Sequence, residues 1–268
     1  MRFEKIVSVQ NDSIKNVVRL RERRGRDEQG LTIIEGVREL SMALEARVDV
    51  KRVYVCSDFV DGNEVKSIIE RCLLQKLEVV ETSAPVFAKI SFGDRNEGIL
   101  AVCQPKEQTL ADLKFDRNPL VVVIENVEKP GNLGAILRTC DAAGVNAVII
   151  SDGITDVYNP NVIRASLGSV FTVPVVVSSN ELTLKFLKSK QIKVCATFPD
   201  ARQLYAQSNF NGALAIVLGS EEMGLSDFWN KNADEKIKVP LLGRVNSLNV
   251  SATAAVVVYE AVRQRDKG

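Results

Sequence analysis

The chain has 268 residues, 46% of them hydrophobic, with 35 Lys and Arg against 34 Asp and Glu. That length and apolar content fit one large or two ordinary domains, and a net charge of +1 excludes a uniformly basic nucleic-acid binder. There is no histidine, which excludes Ser-His and Cys-His hydrolase chemistry and removes the commonest metal ligand.

Residues 13–24 read as a basic helix. Lys15, Arg19, Arg21, Arg23, Arg24 and Arg26 lie close together against a single Glu22. Such a cluster can neutralise phosphates, or it can be the solvated face of a helix. Ile33 and Ile34 form a short apolar segment before Glu35-Gly36 and a helix to about Arg47. Strands are predicted at 50–56, 77–80 and 98–103, with helices at 64–76 and 83–90. This alternation implies a small α/β unit over residues 1–106. The polar stretch around 107–118 reads as a linker, and a second domain runs from 119 to 268. There, strands are predicted at 120–125, 146–151, 173–177, 192–197, 213–218 and 236–241, and helices at 132–143, 160–169, 180–190, 226–232 and 249–265. Several of these strands are apolar without alternation, as in a parallel sheet covered on both faces.

The five cysteines, Cys56, Cys72, Cys103, Cys140 and Cys195, are dispersed and form no C-x-x-C pair. They read as small buried hydrophobes, with no disulfide framework and no metal site. The apolar runs are too short to span a bilayer, and the N-terminus lacks the apolar segment of a signal peptide. The expectation is a cytoplasmic protein without membrane contact.

Three segments carry the chemistry. In the first, residues 126–139, a buried strand runs through a Pro-Gly turn into a helix bearing Asn132 and Arg138. Asn132 sits where an N-cap belongs. Gly134 and Ala135 share the face of Arg138 and leave room for a bulky partner. In the second, Leu214-Ala-Ile-Val-Leu-Gly-Ser-Glu-Glu-Met-Gly-Leu-Ser226, a strand ends at Gly219. It is not a phosphate-binding P-loop: Leu225 takes the lysine position, and Glu221 and Glu222 would repel phosphates. In the third, Val239-Pro240 leads through Asn246-Ser-Leu-Asn249 into a helix rich in Ala, Ser and Thr, which Ser247 or Asn249 could cap.

In this order the segments resemble the three motifs of the SpoU (TrmH-type) RNA 2′-O-ribose methyltransferases of the SPOUT superfamily. The matching residues are Asn132-x-Gly134-Ala135-x-x-Arg138-Thr139, Leu218-Gly219-x-Glu221-x-x-Gly224-Leu225, and Pro240 with Ser247-Leu248-Asn249-x-Ser251. The N-terminal half, with Ile34-Glu35-Gly36 after the basic helix, is similar to the family's RNA-substrate-binding domain. The resemblance implies an α/β fold: a C-terminal, mostly parallel sheet with a deep trefoil knot, preceded by a small α/β RNA-binding domain. It implies S-adenosylmethionine bound at Leu218, Gly219, Val239, Leu248 and Asn249. It implies catalytic or positioning roles for Arg138, Asn132, Glu221, Ser247 and Asn249, and no metal. It implies structured RNA as partner, ribosomal rather than transfer RNA, contacted by Lys15, Arg19, Arg23, Arg24, Arg26 and Glu35, and a homodimer. Arg138 would either assist removal of the ribose proton or hold the phosphate that takes it. The other readings are a transfer-RNA methyltransferase and a non-catalytic RNA-binding protein of the same fold.

Overall fold

The computed structural model describes residues 4–92, 97–153, 155–220 and 223–266. It divides into two compact units. The first runs to Lys106 and takes in Tyr158–Thr172; the second takes Glu107–Val157 and the chain from Val173 onward. Sequence alone suggests one uninterrupted domain from 119, so the two divisions differ over Tyr158–Thr172.

The first unit contains β1 (Glu4–Ile6), α1 (Asp12–Arg19), α2 (Arg23–Gln29), β2 (Thr32–Glu35), α3 (Val37–Glu45), β3 (Asp49–Val55), α4 (Asn63–Leu74), β4 (Val79–Thr82), α5 (Ala84–Ile90) and β5 (Ile99–Gln104). Its sheet has the order β1-β4-β3-β5-β2. The β1-β4 and β4-β3 pairs are parallel, and β5 runs antiparallel to β3 and β2. Ile14, Val17 and Leu20 from the α1 segment meet Phe87 and Ile90 of α5 over Tyr54, Val80 and Leu100. The helix Pro160–Ala165 packs on β2, where Thr32 Oγ1 donates to the Tyr158 carbonyl at 2.7 Å.

The single basic helix expected over 13–24 is two helices. The cause lies in Gly25 and Arg26. A Cβ on Gly25 would stand 2.0 Å from the Arg19 carbonyl oxygen, so only glycine lets α2 fold back this closely on the end of α1. Arg26 is buried, and its guanidinium donates to the carbonyls of Leu20 and Arg21, each at 2.7 Å. Carbonyls at a helix end lack intrahelical partners, and Arg26 supplies donors for these two.

The second unit contains β6 (Leu120–Glu125), α6 (Pro130–Ala142), β7 (Ala147–Ser151), β8 (Val175–Ser178), α8 (Asn180–Ser189), β9 (Lys193–Thr197), β10 (Gln203–Leu204), β11 (Leu214–Leu218), α9 (Asp227–Asn232), β12 (Glu235–Lys238) and α10 (Val250–Arg265); the helix Pro160–Ala165 of the first unit is α7. The sheet has the order β10-β12-β9-β11-β6-β7-β8, and every pairing is parallel. Buried Val121, Val123, Ala215 and Val217 point to the face covered by Leu184 and Leu187 of α8 and Trp229 of α9. Each such valine or leucine contributes roughly 1.5–3 kcal/mol when fully buried. By the two-residue period, Val122, Ile124 and Ile216 face the other side, and α10 packs on α6 and β11.

Two boundaries differ from expectation for local reasons. Strand β12 stops at Lys238 instead of 241, because Pro240 has no N–H to offer the ladder. Helix α6 starts at Pro130 with Lys129 as N-cap. Proline suits the first helical position, so Asn132 lies within the first turn and is not the cap. The linker also carries structure: Thr109 and Asp112 form a capping box around a 3₁₀ turn, Leu110–Asp112, and Leu113 is buried in the core of the second unit.

All five cysteines are buried. Burial pushes the thiols of Cys72, Cys140 and Cys195 up, to about 11, about 12 and about 12 respectively, and raises those of Cys56 and Cys103 as well. The folded state therefore holds these protons where the unfolded chain, titrating near 9, has lost them, and stability falls as pH rises from about 9 toward about 12. A thiol-reactive disulfide reagent at pH 8 should leave the native protein unlabelled and label it fully in denaturant. Rapid labelling of the native protein would contradict the burial of these groups.

Candidate functional site

Because the strands of the seven-stranded sheet run the same way, their carboxyl ends share one edge, the usual ligand edge of an open α/β sheet. Thr197, Leu218 and Lys238, the last residues of β9, β11 and β12, all line a cavity of about 360 Å³ there. Such a volume suits a cofactor-sized molecule. The segments after the strands complete the wall: Phe198 and Pro199, Gly219, Ser220 and Met223 to Leu225, then Val239, Leu241 and Asn246 to Leu248. Lys238 is the one charged side chain among the described lining residues.

After β11, Gly219 and Ser220 lie close against Gly224 and Leu225. A Cβ on Gly219 would lie 2.2 Å from the Gly224 carbonyl carbon and 2.3 Å from the Leu225 nitrogen. The Gly224 amide donates to the Ser220 carbonyl at 3.1 Å, and Gly224 has φ +65°, a left-handed conformation that favours glycine. The two glycines thus serve different needs, close approach at 219 and a left-handed turn at 224. The wall they form is largely backbone, which can read a ligand's polar edge through amides and carbonyls.

The third segment is joined to the first. Asn249 caps α10: its Oδ1 accepts from the Ser251 amide at 2.9 Å and from Ser251 Oγ at 2.6 Å. Its Nδ2 donates to Asn132 Oδ1 at 3.2 Å. One side chain therefore closes a helix end and links α10 to the first turn of α6. The cap falls to Asn249 and not to Ser247, which lines the cavity. Arg138 is exposed on α6, two turns on from Pro130. Neither Asn132, Arg138 nor Asn249 lines the cavity itself. Leu218, Gly219, Val239, Ser247 and Leu248 do. Glu221 lies outside the described residues.

A buried polar network that no sequence motif marks stands beside the cavity. Glu125, the last residue of β6, is 1% exposed. Its carboxylate accepts from Asn180 Nδ2 at 2.6 Å, from the Ser226 amide at 2.7 Å and from Ser226 Oγ at 2.6 Å. Asn180 Oδ1 in turn accepts from Ser151 Oγ at 2.7 Å and Trp229 Nε1 at 2.8 Å. An acid ending an otherwise apolar strand was the available signal. Thr197-Phe198-Pro199, the strand end before the cavity's far wall, was also open to discovery by the strand-end rule.

In the first unit the basic cluster divides. Lys15, Arg19, Arg23 and Arg24 are exposed and pair with Asp12, Glu28, Asp27 and Glu28 respectively. Pairs this exposed are worth no more than about 1 kcal/mol, so the arginines can exchange them for another anion. Arg26 and Glu35 depart from the expected RNA contacts. Arg26 is committed to helix-end carbonyls. Glu35 is buried and accepts from Ser91 Oγ at 2.9 Å and the Phe92 amide at 2.8 Å. Neither presents its charge at the surface.

Comparison with known proteins places both halves. Residues 119–259 match the model of the SpoU rRNA Methylase family, and residues 11–101 match that of the MRM3-like substrate binding domain. The 23S rRNA (guanosine(2553)-2′-O)-methyltransferase RlmP of Bacillus subtilis (strain 168) is 29% identical over 96% of this chain and 98% of its own length. A crystal structure of an RNA 2′-O ribose methyltransferase superposes with a TM-score of 0.87 at 37% identity, over 97% of this chain and 99% of that one. The SpoU methyltransferase AviRb from Streptomyces viridochromogenes, in complex with the cofactor AdoMet, also gives 0.87, over 96% and 100% of the two chains; at 24% identity this shows the fold alone. The family model covers more than half of the chain, and the chain belongs to the SpoU rRNA methylase family.

Proposed function

We propose that this chain is an S-adenosylmethionine-dependent methyltransferase acting on a ribose 2′-hydroxyl of ribosomal RNA. The main support is that Leu218, Gly219, Val239, Ser247 and Leu248, from two separate family motifs, line one cavity at the carboxyl edge of a parallel sheet. The relatives' activities agree: the Bacillus subtilis protein that matches nearly the whole chain is named for 2′-O methylation of a guanosine in 23S rRNA. A ribosomal substrate is favoured over transfer RNA on that ground. The loops after β11 and β12 are where the family resemblance puts a deep trefoil knot, an exception to the general absence of threaded chains.

The cavity fits the cofactor. Its wall combines apolar side chains from Phe198, Leu218 and Leu248 with loop backbone at Gly219 and Gly224, a lining that suits a nucleoside joined to a polar amino-acid tail. When bound there, S-adenosylmethionine supplies a methyl group activated by its sulfonium charge. The ribose hydroxyl that accepts this group must lose its proton. With no histidine in the chain, the residues' work is chiefly alignment, which can supply a large part of such a rate.

Arg138 holds the RNA phosphate and ribose at the cavity's RNA side. A guanidinium has five donors and no acceptor, so it steadies the phosphate that receives the proton, in bidentate fashion. Asn132 and Asn249, already hydrogen-bonded to each other, together with Ser247 and Glu221, position RNA and cofactor. Lys15, Arg19, Arg23 and Arg24 supply the salt-sensitive hold on RNA. The working form is a cytoplasmic homodimer. Exposed Leu242, Val245 and Tyr259 in the second unit support a covering partner there.

Arg138→Ala should lower methyl transfer to rRNA by roughly 100-fold or more, as expected when an aligning group is removed, while calorimetry finds cofactor affinity unchanged. Normal turnover by this variant would refute the role assigned to Arg138. Removing the charges of Lys15, Arg19, Arg23 and Arg24 together should weaken RNA binding and flatten its salt dependence, by about 0.7–0.9 in log–log slope for each phosphate no longer neutralised. Arg26→Ala should instead lower the melting temperature, since it strips donors from the buried Leu20 carbonyl and the half-buried Arg21 carbonyl; an unchanged melt with weakened RNA binding would return Arg26 to the RNA surface.

A further inference from the structure

The carboxylate of Glu125 is buried, takes no part in the alignment described above, and receives three hydrogen bonds from neutral donors. Among the described residues no cation is paired with it. In all three bonds Glu125 is the acceptor, and it donates to nothing. The orientation of Asn180 enforces this. Its Oδ1 is occupied by the donors of Ser151 and Trp229, so its Nδ2 has to face Glu125 as a donor.

These hydrogen bonds join two places of functional weight. Ser226 ends the tight loop whose Gly219, Ser220, Met223, Gly224 and Leu225 line the cavity. Glu125 ends β6, the strand that leads into α6 with Asn132 and Arg138. The far anchor, Asn180, opens α8, and Ser151 sits opposite Glu125 in the β6–β7 register. Ser226, at the carboxyl-terminal end of the loop, is thus tied to the sheet by the Glu125 side chain, while Gly219 continues directly from β11 at the other end.

We infer that Glu125, oriented by Asn180, is a positioning residue that clamps Met223–Ser226 against Gly219 and Ser220 in the arrangement that receives the methyl donor. The inference rests on the reading of the cavity as a methyl-donor site. In Glu125→Gln one carboxylate oxygen becomes an NH₂ group, which meets either the Ser226 amide or the Asn180 amide donor to donor. A buried donor left without an acceptor is costly, and with the Ser226 end of the loop disturbed, cofactor binding should weaken by roughly tenfold. Exchanging the two side chains' chemistry restores the pattern. In Glu125→Gln/Asn180→Asp the glutamine oxygen accepts from the Ser226 amide, and its NH₂ donates to the new carboxylate and to Ser226 Oγ. The aspartate still accepts from Ser151 and Trp229.

The test is calorimetric titration of the full-length protein and its variants with S-adenosylmethionine, with thermal unfolding of each. Glu125→Gln should bind the cofactor about tenfold more weakly than the unaltered protein, and the double variant should return to within about threefold. Ser226→Ala, which removes one bond and spares the fold, should lie between them, and keeps the test available if the single Gln variant does not fold. If the unaltered protein binds and Glu125→Gln or Ser226→Ala binds equally well, the clamp is refuted; if the double variant is as weak as the single, it is refuted too. Failure of the unaltered protein to bind would sink the methyl-donor reading itself, which is a separate result.

Discussion

Seven strands running one way place seven carboxyl ends along a single edge, and the second unit is organised around that constraint. Residues as distant in sequence as Thr197, Leu218 and Lys238 reach one cavity only because β9, β11 and β12 are neighbours in parallel register. The same constraint carries Glu125 and Ser151 to one level on adjacent strands. There a buried carboxylate can reach the loop that follows β11. The sheet supplies the address, and the loops supply the chemistry.

Much of this is legible in the chain. The bare apolar runs of β6, β7 and β11 identify strands buried on both faces, and residues 218–219, 239 and 247–248 stand out by motif although only the fold brings them together. Local rules fail where long-range packing decides. Nothing within residues 13–24 marks the break between α1 and α2, because it depends on Gly25 passing against Arg19 and on Arg26 reaching back to Leu20 and Arg21. The same distance effect makes Arg26 and Glu35 look like surface charges. Asn132 is mistaken for a cap for a different reason: two signals compete, and proline at the first helical position outweighs the asparagine two residues later. An acid ending an apolar strand marks Glu125, but its pairing with Asn180 cannot be read, since the two are separated by 55 positions.

The absence of histidine is consistent with the kind of site found. A reaction in which a strongly activated methyl group meets a hydroxyl needs geometry more than it needs a tuned proton carrier. The polar groups at hand are amides, hydroxyls, an exposed guanidinium and loop backbone. The amides among them are fixed by hydrogen bonds such as Asn249 to Asn132 and Ser251, which hold orientation across α6 and α10 without depending on pH near neutrality. The proposed division of labour gives the long-range attraction of RNA to exposed arginines and lysines, and its alignment to Arg138 with tethered neutral groups.

The central claim is that the acceptor is a ribose oxygen of rRNA, and alkaline digestion tests it most directly. The 2′-hydroxyl is the nucleophile that cleaves RNA in base, so a methylated ribose protects its own 3′-phosphodiester. After incubation of the protein with unmethylated 23S rRNA and S-adenosylmethionine labelled in the methyl group, complete alkaline hydrolysis should leave the label in resistant dinucleotides. Label recovered in mononucleotides would mean transfer to a base, and absence of label in rRNA while transfer RNA is labelled would place the acceptor elsewhere; either result contradicts the account.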